Sequence, residues 1–342
     1  MLAALDVFFT LLKTFFSCLL SFLLSFLLSS FKAREKLPKR SWRGEFIFRL
    51  AKSLLSRSIG KDFEWIRDRQ NLLTLYSPDL FKVSIQKTQI AGVACIALQP
   101  KKIPEVQKVI VYFHGGGYAV GSAQAYQLMA AKLALMCQAK VVLVDYRLVP
   151  EFTLPAAQED CHSVTQAIIK QYAQHKIILM GDSAGGALCL STLKRLKGAL
   201  TGEPDSLGKI SASVLISPWV APLSYKNLSL ENEATDMLDR HITQYWVDTF
   251  YQSETQRQDI DFIDIKTLGL AKEHWPKLYL QAAGAEVFLK QIQGLSTQLD
   301  ELGVKHDFDI FTDQFHVFQT FSPLVPEAKD ALKGIADFVR SV

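Results

Sequence analysis

The 342 residues carry 38 Lys and Arg against 34 Asp and Glu, a formal charge of only +4, and 49% of them are hydrophobic. That balance gives no sign of a nucleic-acid partner. The length suits a short leading segment followed by one domain able to bury a sizeable core.

The first feature in chain order is Thr14–Phe31, TFFSCLLSFLLSFLLSSF, which has no charge. Eighteen helical residues span about 27 Å, the hydrocarbon thickness of a thin endoplasmic-reticulum-type bilayer. A cleaved signal peptide would start basic and end on a small-residue cleavage site. Here Asp6 and Lys13 lie upstream and no A-x-A follows, so an uncleaved single-pass transmembrane helix is expected. Ser17, Ser21, Ser25 and Ser29 would stack on one face, a spacing that permits close helix approach in lipid; tolerance of serine is the simpler reading. A basic cluster follows: Lys32, Arg34, Lys36, Lys39, Arg40 and Arg43. Residues 1–43 are accordingly assigned as membrane anchor and juxtamembrane segment, and 44–342 as one folded domain.

Residues 44–80 read as helical and amphipathic, with Phe46, Ile47, Leu50, Leu54 and Leu55 on one side. Residues 81–98 resemble an antiparallel strand pair. Apolar runs at 109–114, 140–146, 176–183, 212–218, 277–284 and 306–313 then alternate with helical stretches near 122–138, 155–174, 184–199, 286–302 and 326–341. Such alternation implies a mostly parallel central sheet with helices on both faces, an α/β fold. Between Pro218 and Pro276 no strand-like run occurs, while Trp219, Tyr225, Tyr245, Trp246, Phe250 and Tyr251 fall there. A structureless loop of that length is improbable, so 219–275 is expected to form a helical cap, with 44–80 as a second cap element. The five cysteines show no CxxC and no metal-ligand spacing, and read as small apolar core residues rather than a disulfide or redox pair.

Gly181-Asp182-Ser183-Ala184-Gly185-Gly186 places G-x-S-x-G directly after an apolar strand and before a helix, the context a nucleophile elbow requires. Side chains at the flanking glycines would collide with the neighbouring strand and helix. Ser183 is thus presented at the carboxyl end of the sheet, and the helix N-terminus behind it favours developing negative charge. His114-Gly115-Gly116-Gly117 ends an earlier strand. Backbone N–H groups aimed at a tetrahedral oxyanion contribute about 3–4 kcal/mol per donor. The expected donors are Gly115, Gly116 and Ala184.

In this arrangement the chain order is Ser, acid, His. Four histidines follow Ser183. His241 falls in the cap, His274 precedes a strand, and His306 begins the last strand at its wrong end. His316 follows that strand in a loop and is the expected base. The acid should lie just past the preceding strand, which points to Glu286. Asp313, near His316, is the best rival; Asp300, Asp307 and Asp309 are placed less well. The carboxylate would orient the imidazole and stabilise the imidazolium. Two-step acyl transfer of this kind needs no metal and no cofactor.

HGGG upstream of GDSAGG, with Tyr146-Arg147-Leu148-Val149-Pro150-Glu151 between them, resembles the hormone-sensitive-lipase-like branch of the α/β-hydrolases. That branch includes arylacetamide deacetylases and fungal steryl acetyl hydrolases. The similarity covers roughly residues 81–342. It implies Ser183, Glu286 and His316 as triad, and Gly115, Gly116 and Ala184 as oxyanion hole. The family usually has Asp where Glu286 stands, and Ala where Val149 stands. Arg147 and Glu151 are expected to form a structural ion pair bracing the loop near the site. The N-terminal anchor and Ser217-Pro218-Trp219 point to the steryl-acetyl-hydrolase-like subgroup, hence to acetyl esters of an apolar alcohol such as a sterol. Amide deacetylation with the same triad is the alternative. A non-catalytic ligand receptor on this fold is the alternative of another class, and His316 argues against it. The expected partners are an apolar ester and membrane lipid, not nucleic acid; oligomeric state is not legible. For topology, the basic cluster would place the domain in the cytosol by the positive-inside rule. The resemblance, and one sequon at Asn227-Leu228-Ser229, favour the endoplasmic reticulum lumen.

Overall fold

Eight strands form one sheet in the order β1-β2-β4-β3-β5-β6-β7-β8 in this computed structural model, which describes residues 38–72, 77–197, 206–224, 227–250, 262 and 264–342. The strands are β1 Val83–Ile90, β2 Val93–Pro100, β3 Lys108–Phe113, β4 Lys140–Val144, β5 Lys176–Asp182, β6 Ile210–Ile216, β7 Lys277–Ala283 and β8 His306–Phe311. β1 pairs antiparallel with β2, and β2 antiparallel with β4; every pairing from β4 through β8 is parallel. The α/β reading therefore holds, with the antiparallel pair at one edge.

The inner strands β3 to β7 are buried on both faces, so their side chains divide by parity. Val109, Val111 and Phe113 of β3 join one core, and Ile110 and Tyr112 join the other. The second core is closed by α3 (Gln127–Cys137) and α8 (Ala328–Ser341). The first is closed by α4 (Leu154–Gln171), α5 (Ala184–Leu196) and α7 (Leu289–Glu301). Cys95, Cys137, Cys161 and Cys189 are buried free thiols within these cores.

The region read as a first cap element is α1 (Trp42–Ser58) and α2 (Phe63–Leu72). In the second, α6 (Arg240–Phe250) is accompanied by short 3-10 turns; Tyr225 and Tyr251 lie outside the described residues. Asn227 of the sequon is half-buried and donates to Ser224 Oγ, while Ser229 is buried.

The domain boundary expected at residue 43 moves toward the N-terminus. Ser41 caps α1, its Oγ accepting from Gly44 N at 3.0 Å and donating to Glu327. The Arg40 side chain is 1% exposed and donates to the carbonyls of Asp313 and Thr235. Tertiary contacts of Arg40 and Ser41 thus recruit part of the basic cluster into the fold. The expected transmembrane helix at Thr14–Phe31, together with Cys18, Lys32, Arg34 and Lys36, lies outside the described residues. Among those described, no helix is long and apolar enough to cross a membrane.

Candidate active site

β3 and β5 are neighbours in register, Phe113 opposite Gly181, so the glycine loop after β3 meets the turn after β5. That turn is tight. Ser183 takes φ +53° and ψ −120°, a left-handed conformation costing a non-glycine residue about 1–3 kcal/mol. The bond from Ser183 N to Ile216 O, at 2.9 Å, holds it there. A Cβ on Gly185 would lie 2.0 Å from Phe113 O, and one on Gly181 2.4 Å from Gly185 O, which is why the elbow takes glycine at both positions.

The loops after β7 and β8 bring Glu286 and His316 to the same end of the sheet. Glu286 Oε2 lies 2.5 Å from His316 Nδ1, both side chains being almost fully buried, and Oε1 accepts from Ala283 N at 2.7 Å. Burial pulls the imidazole pKa down, but the Glu286 carboxylate outweighs it, with Asp236 adding to the same effect; the net direction is upward. Nδ1 is thereby the protonated nitrogen. Nε2 is buried without a hydrogen-bond partner and lines the same cavity as Ser183. The rival acid, Asp313, meets Arg40 through its backbone carbonyl instead. His241 is the second residue of α6 and His274 ends a 3-10 turn before β7; neither lines the cavity with Ser183. His306 pairs with Ser296.

One expected oxyanion donor is corrected. Gly115 N donates to Asp182 Oδ1 at 3.0 Å, so its N–H is already committed. The described hydrogen bonds leave the N–H groups of Gly116 and Gly117, and that of Ala184 at the first position of α5, without an acceptor. Gly116 lines the cavity, and its φ of +118° with a virtual Cβ 2.2 Å from Val120 O requires glycine. The expected Arg147–Glu151 pair is likewise absent. Arg147 pairs with Asp160 of α4 at 2.8 Å, and Glu151 with Arg67 of α2 at 2.9 Å. Both acids are reached across the fold rather than along the loop.

Above Ser183 opens a cavity of about 580 Å³. Ile47, Leu50 and Leu54 of α1, on the side read as amphipathic, line it, Ile47 also packing against the core; Trp65, Met129 and Trp246 line other parts of the wall. Among the described residues no group of three or more His, Cys, Asp or Glu side chains is arranged to hold a metal ion.

A sequence model of the α/β-hydrolase fold matches residues 110–320. A solved hormone-sensitive lipase from a metagenome library superposes with a TM-score of 0.74 at 25% identity, covering 88% of this chain and 98% of that one. This chain belongs to the hormone-sensitive-lipase-like α/β-hydrolases. Carboxylesterase/phospholipase LipF of Mycobacterium tuberculosis is 28% identical over 68% of this chain, and the match spans 62% of LipF's own length, under two thirds of it. An acetyl-hydrolase of Streptomyces hygroscopicus is 27% identical over 68% of this chain and 76% of its own. Neutral cholesterol ester hydrolase 1 of Pongo abelii is 30% identical over 49% of this chain and 44% of its own. These named relatives are esterases and ester or acetyl hydrolases of the same fold.

Sequence reasoning missed two buried carboxylates in this chain. Asp182 accepts from Tyr112 Oη at 2.8 Å, Tyr126 Oη at 2.9 Å and Gly115 N. It pins the glycine loop against the elbow, and a Cβ on Gly115 would stand 2.3 Å from it. Burial pushes its pKa up to about 6 against those donors. Its place inside G-x-S-x-G was the available signal. Asp236, in the cap, had none.

Proposed function

We propose that the protein hydrolyses short-chain esters, acetyl above all, of an apolar alcohol such as a sterol, through an acyl-enzyme on Ser183. The observation that carries this is a Glu286-bound His316 with Nε2 unpartnered, sharing with Ser183 the floor of a largely apolar cavity. In the proposed cycle His316 Nε2 takes the Ser183 proton and Oγ attacks the ester carbonyl. The N–H groups of Gly116, Gly117 and Ala184 receive the oxyanion. His316 then protonates the leaving alcohol, and water repeats the sequence on the acyl-enzyme. About 580 Å³ is of the size that holds a drug-sized ligand. Each Å² of apolar alcohol buried there contributes about 25 cal/mol. Names of relatives lend support: one is an acetyl-hydrolase, another a cholesterol ester hydrolase. The test is a panel of acetyl esters of sterol, aryl and short alkyl alcohols, with an anilide. Higher kcat/KM for a water-soluble ethyl ester than for the sterol acetate refutes the substrate class; preference for the anilide would favour amide deacetylation.

The uncharged run Thr14–Phe31 supports a further part of this reading: a single-pass anchor in the endoplasmic reticulum membrane with a lumenal hydrolase domain. Protease protection of a C-terminal tag in intact microsomes tests it, and digestion without detergent refutes lumenal placement.

A further inference from the structure

Asp236 stands in the cap segment just before α6, fully buried. Its Oδ1 accepts from His316 N at 2.8 Å and from Met237 N at 2.8 Å, and its Oδ2 accepts from Val287 N at 2.8 Å. His316 is the proposed base, and Val287 directly follows the proposed acid. One carboxylate therefore spans the two loops whose side chains must meet at 2.5 Å. The segment that carries it is held in turn. Asn232 Nδ2 donates to Glu286 O at 2.9 Å, Arg40 to Thr235 O, and Lys52 Nζ to the carbonyls of Glu233 and, at 2.9 Å, Asp236. The charged groups acting on Asp236 are Arg40 just ahead of α1, Lys52 of α1, Glu286 and His316, while Glu233, Asp239 and Asp313 act on those two cations. Burying a carboxylate without a cationic side chain bonded to it is costly. Three backbone N–H bonds offset that cost and convert it into a fixed loop geometry.

We propose that Asp236 is a positioning residue of the hydrolytic site: its carboxylate sets how the Glu286 and His316 loops meet, and its charge stabilises the imidazolium formed during turnover. This rests on the reading of His316 as the base. The charge should matter as well as the shape, because Asp236 adds to the field that favours protonated His316. Loop displacements of an ångström cost about 100-fold in rate.

The experiment uses the full chain and p-nitrophenyl acetate, with Asp236→Asn and Asp236→Glu compared with wild type across pH. In Asp236→Asn, kcat falls about 10- to 100-fold with KM little changed, and the acid limb of kcat moves to lower pH, because the anion facing the imidazolium is gone. In Asp236→Glu, kcat also falls, since the longer chain misplaces the loops, but the acid limb stays at the wild-type pH. A kcat within about threefold of wild type in Asp236→Asn, or the same acid limb in both variants and wild type, overturns the proposal. So does failure of both variants to fold, which would make Asp236 a structural carboxylate only. A wild type inactive on the ester refutes the hydrolase reading itself and is recognised separately by that control.

Discussion

Replacing Glu286 by glutamine keeps the side-chain volume and removes its charge. The two carboxylate oxygens have different tasks: Oε1 accepts from Ala283 N at 2.7 Å and Oε2 from His316 Nδ1 at 2.5 Å. An amide has one oxygen for both. If that oxygen stays on His316, the NH₂ group faces the buried Ala283 N–H, and two donors left opposed cost about 1–3 kcal/mol. The opposite orientation avoids this, with the oxygen on Ala283 and the NH₂ directed at Nδ1. Nδ1 must then accept, so the imidazole proton moves to Nε2, the nitrogen that the mechanism needs free for Ser183. A triad locked in the wrong tautomer loses about 10⁴ in kcat, or about 5.4 kcal/mol at 1.36 kcal/mol per decade. Glu286→Gln is therefore expected to lower kcat about 10³- to 10⁴-fold on p-nitrophenyl acetate, with KM nearly unchanged. Asp313→Asn is the control, since the hydrogen bond from Arg40 goes to the Asp313 backbone carbonyl, which the substitution keeps. A loss below about tenfold for Glu286→Gln, or a larger loss for Asp313→Asn, refutes the assignment.

Ser183→Ala should abolish turnover while leaving the melting transition in place; residual activity near wild type would sink the acyl-enzyme route. Gly116→Ala must move Val120 O or abandon φ +118°, so kcat should fall about 100-fold or more, the cost of one lost oxyanion donor; an active Gly116→Ala places the hole elsewhere. His316 acts as base only when neutral, so activity is present above its pKa and lost as pH falls through it. Because Glu286 holds that pKa above the ordinary imidazole value, the acid midpoint of kcat/KM should lie above about 6.5; a midpoint below it contradicts the geometry. A chain starting at Gly44 lacks the Ser41 cap, worth about 1 kcal/mol, and the buried Arg40. It should melt at least about 2 °C below one starting at Pro38, and equal transitions by circular dichroism would remove Arg40 and Ser41 from the folded unit.

What the sequence determined by itself was what short-range physics controls. The apolar run at 176–183 became β5 Lys176–Asp182, and the stretch at 184–199 became α5 Ala184–Leu196, because strand and helix periodicities are written within a few residues. Gly181 and Gly185 announced the elbow because a Cβ there meets backbone. Chain order alone put Ser183, Glu286 and His316 in the loops after β5, β7 and β8, which lie at one end of the sheet since in a parallel sheet successive strands end on the same side. The tertiary structure decided which partner each polar group takes. Arg147 and Glu151 are four residues apart in one loop, yet each turns to a group on a helix. Gly115 N–H looked free in HGGG and is taken by Asp182, brought alongside by the β3–β5 pairing. Asp236 reaches His316 across 80 residues of chain, and Arg40 reaches Asp313 across 273. A hydrogen bond or ion pair is selected by distance and direction in space, and contacts so far apart in the chain leave no local pattern from which to read them.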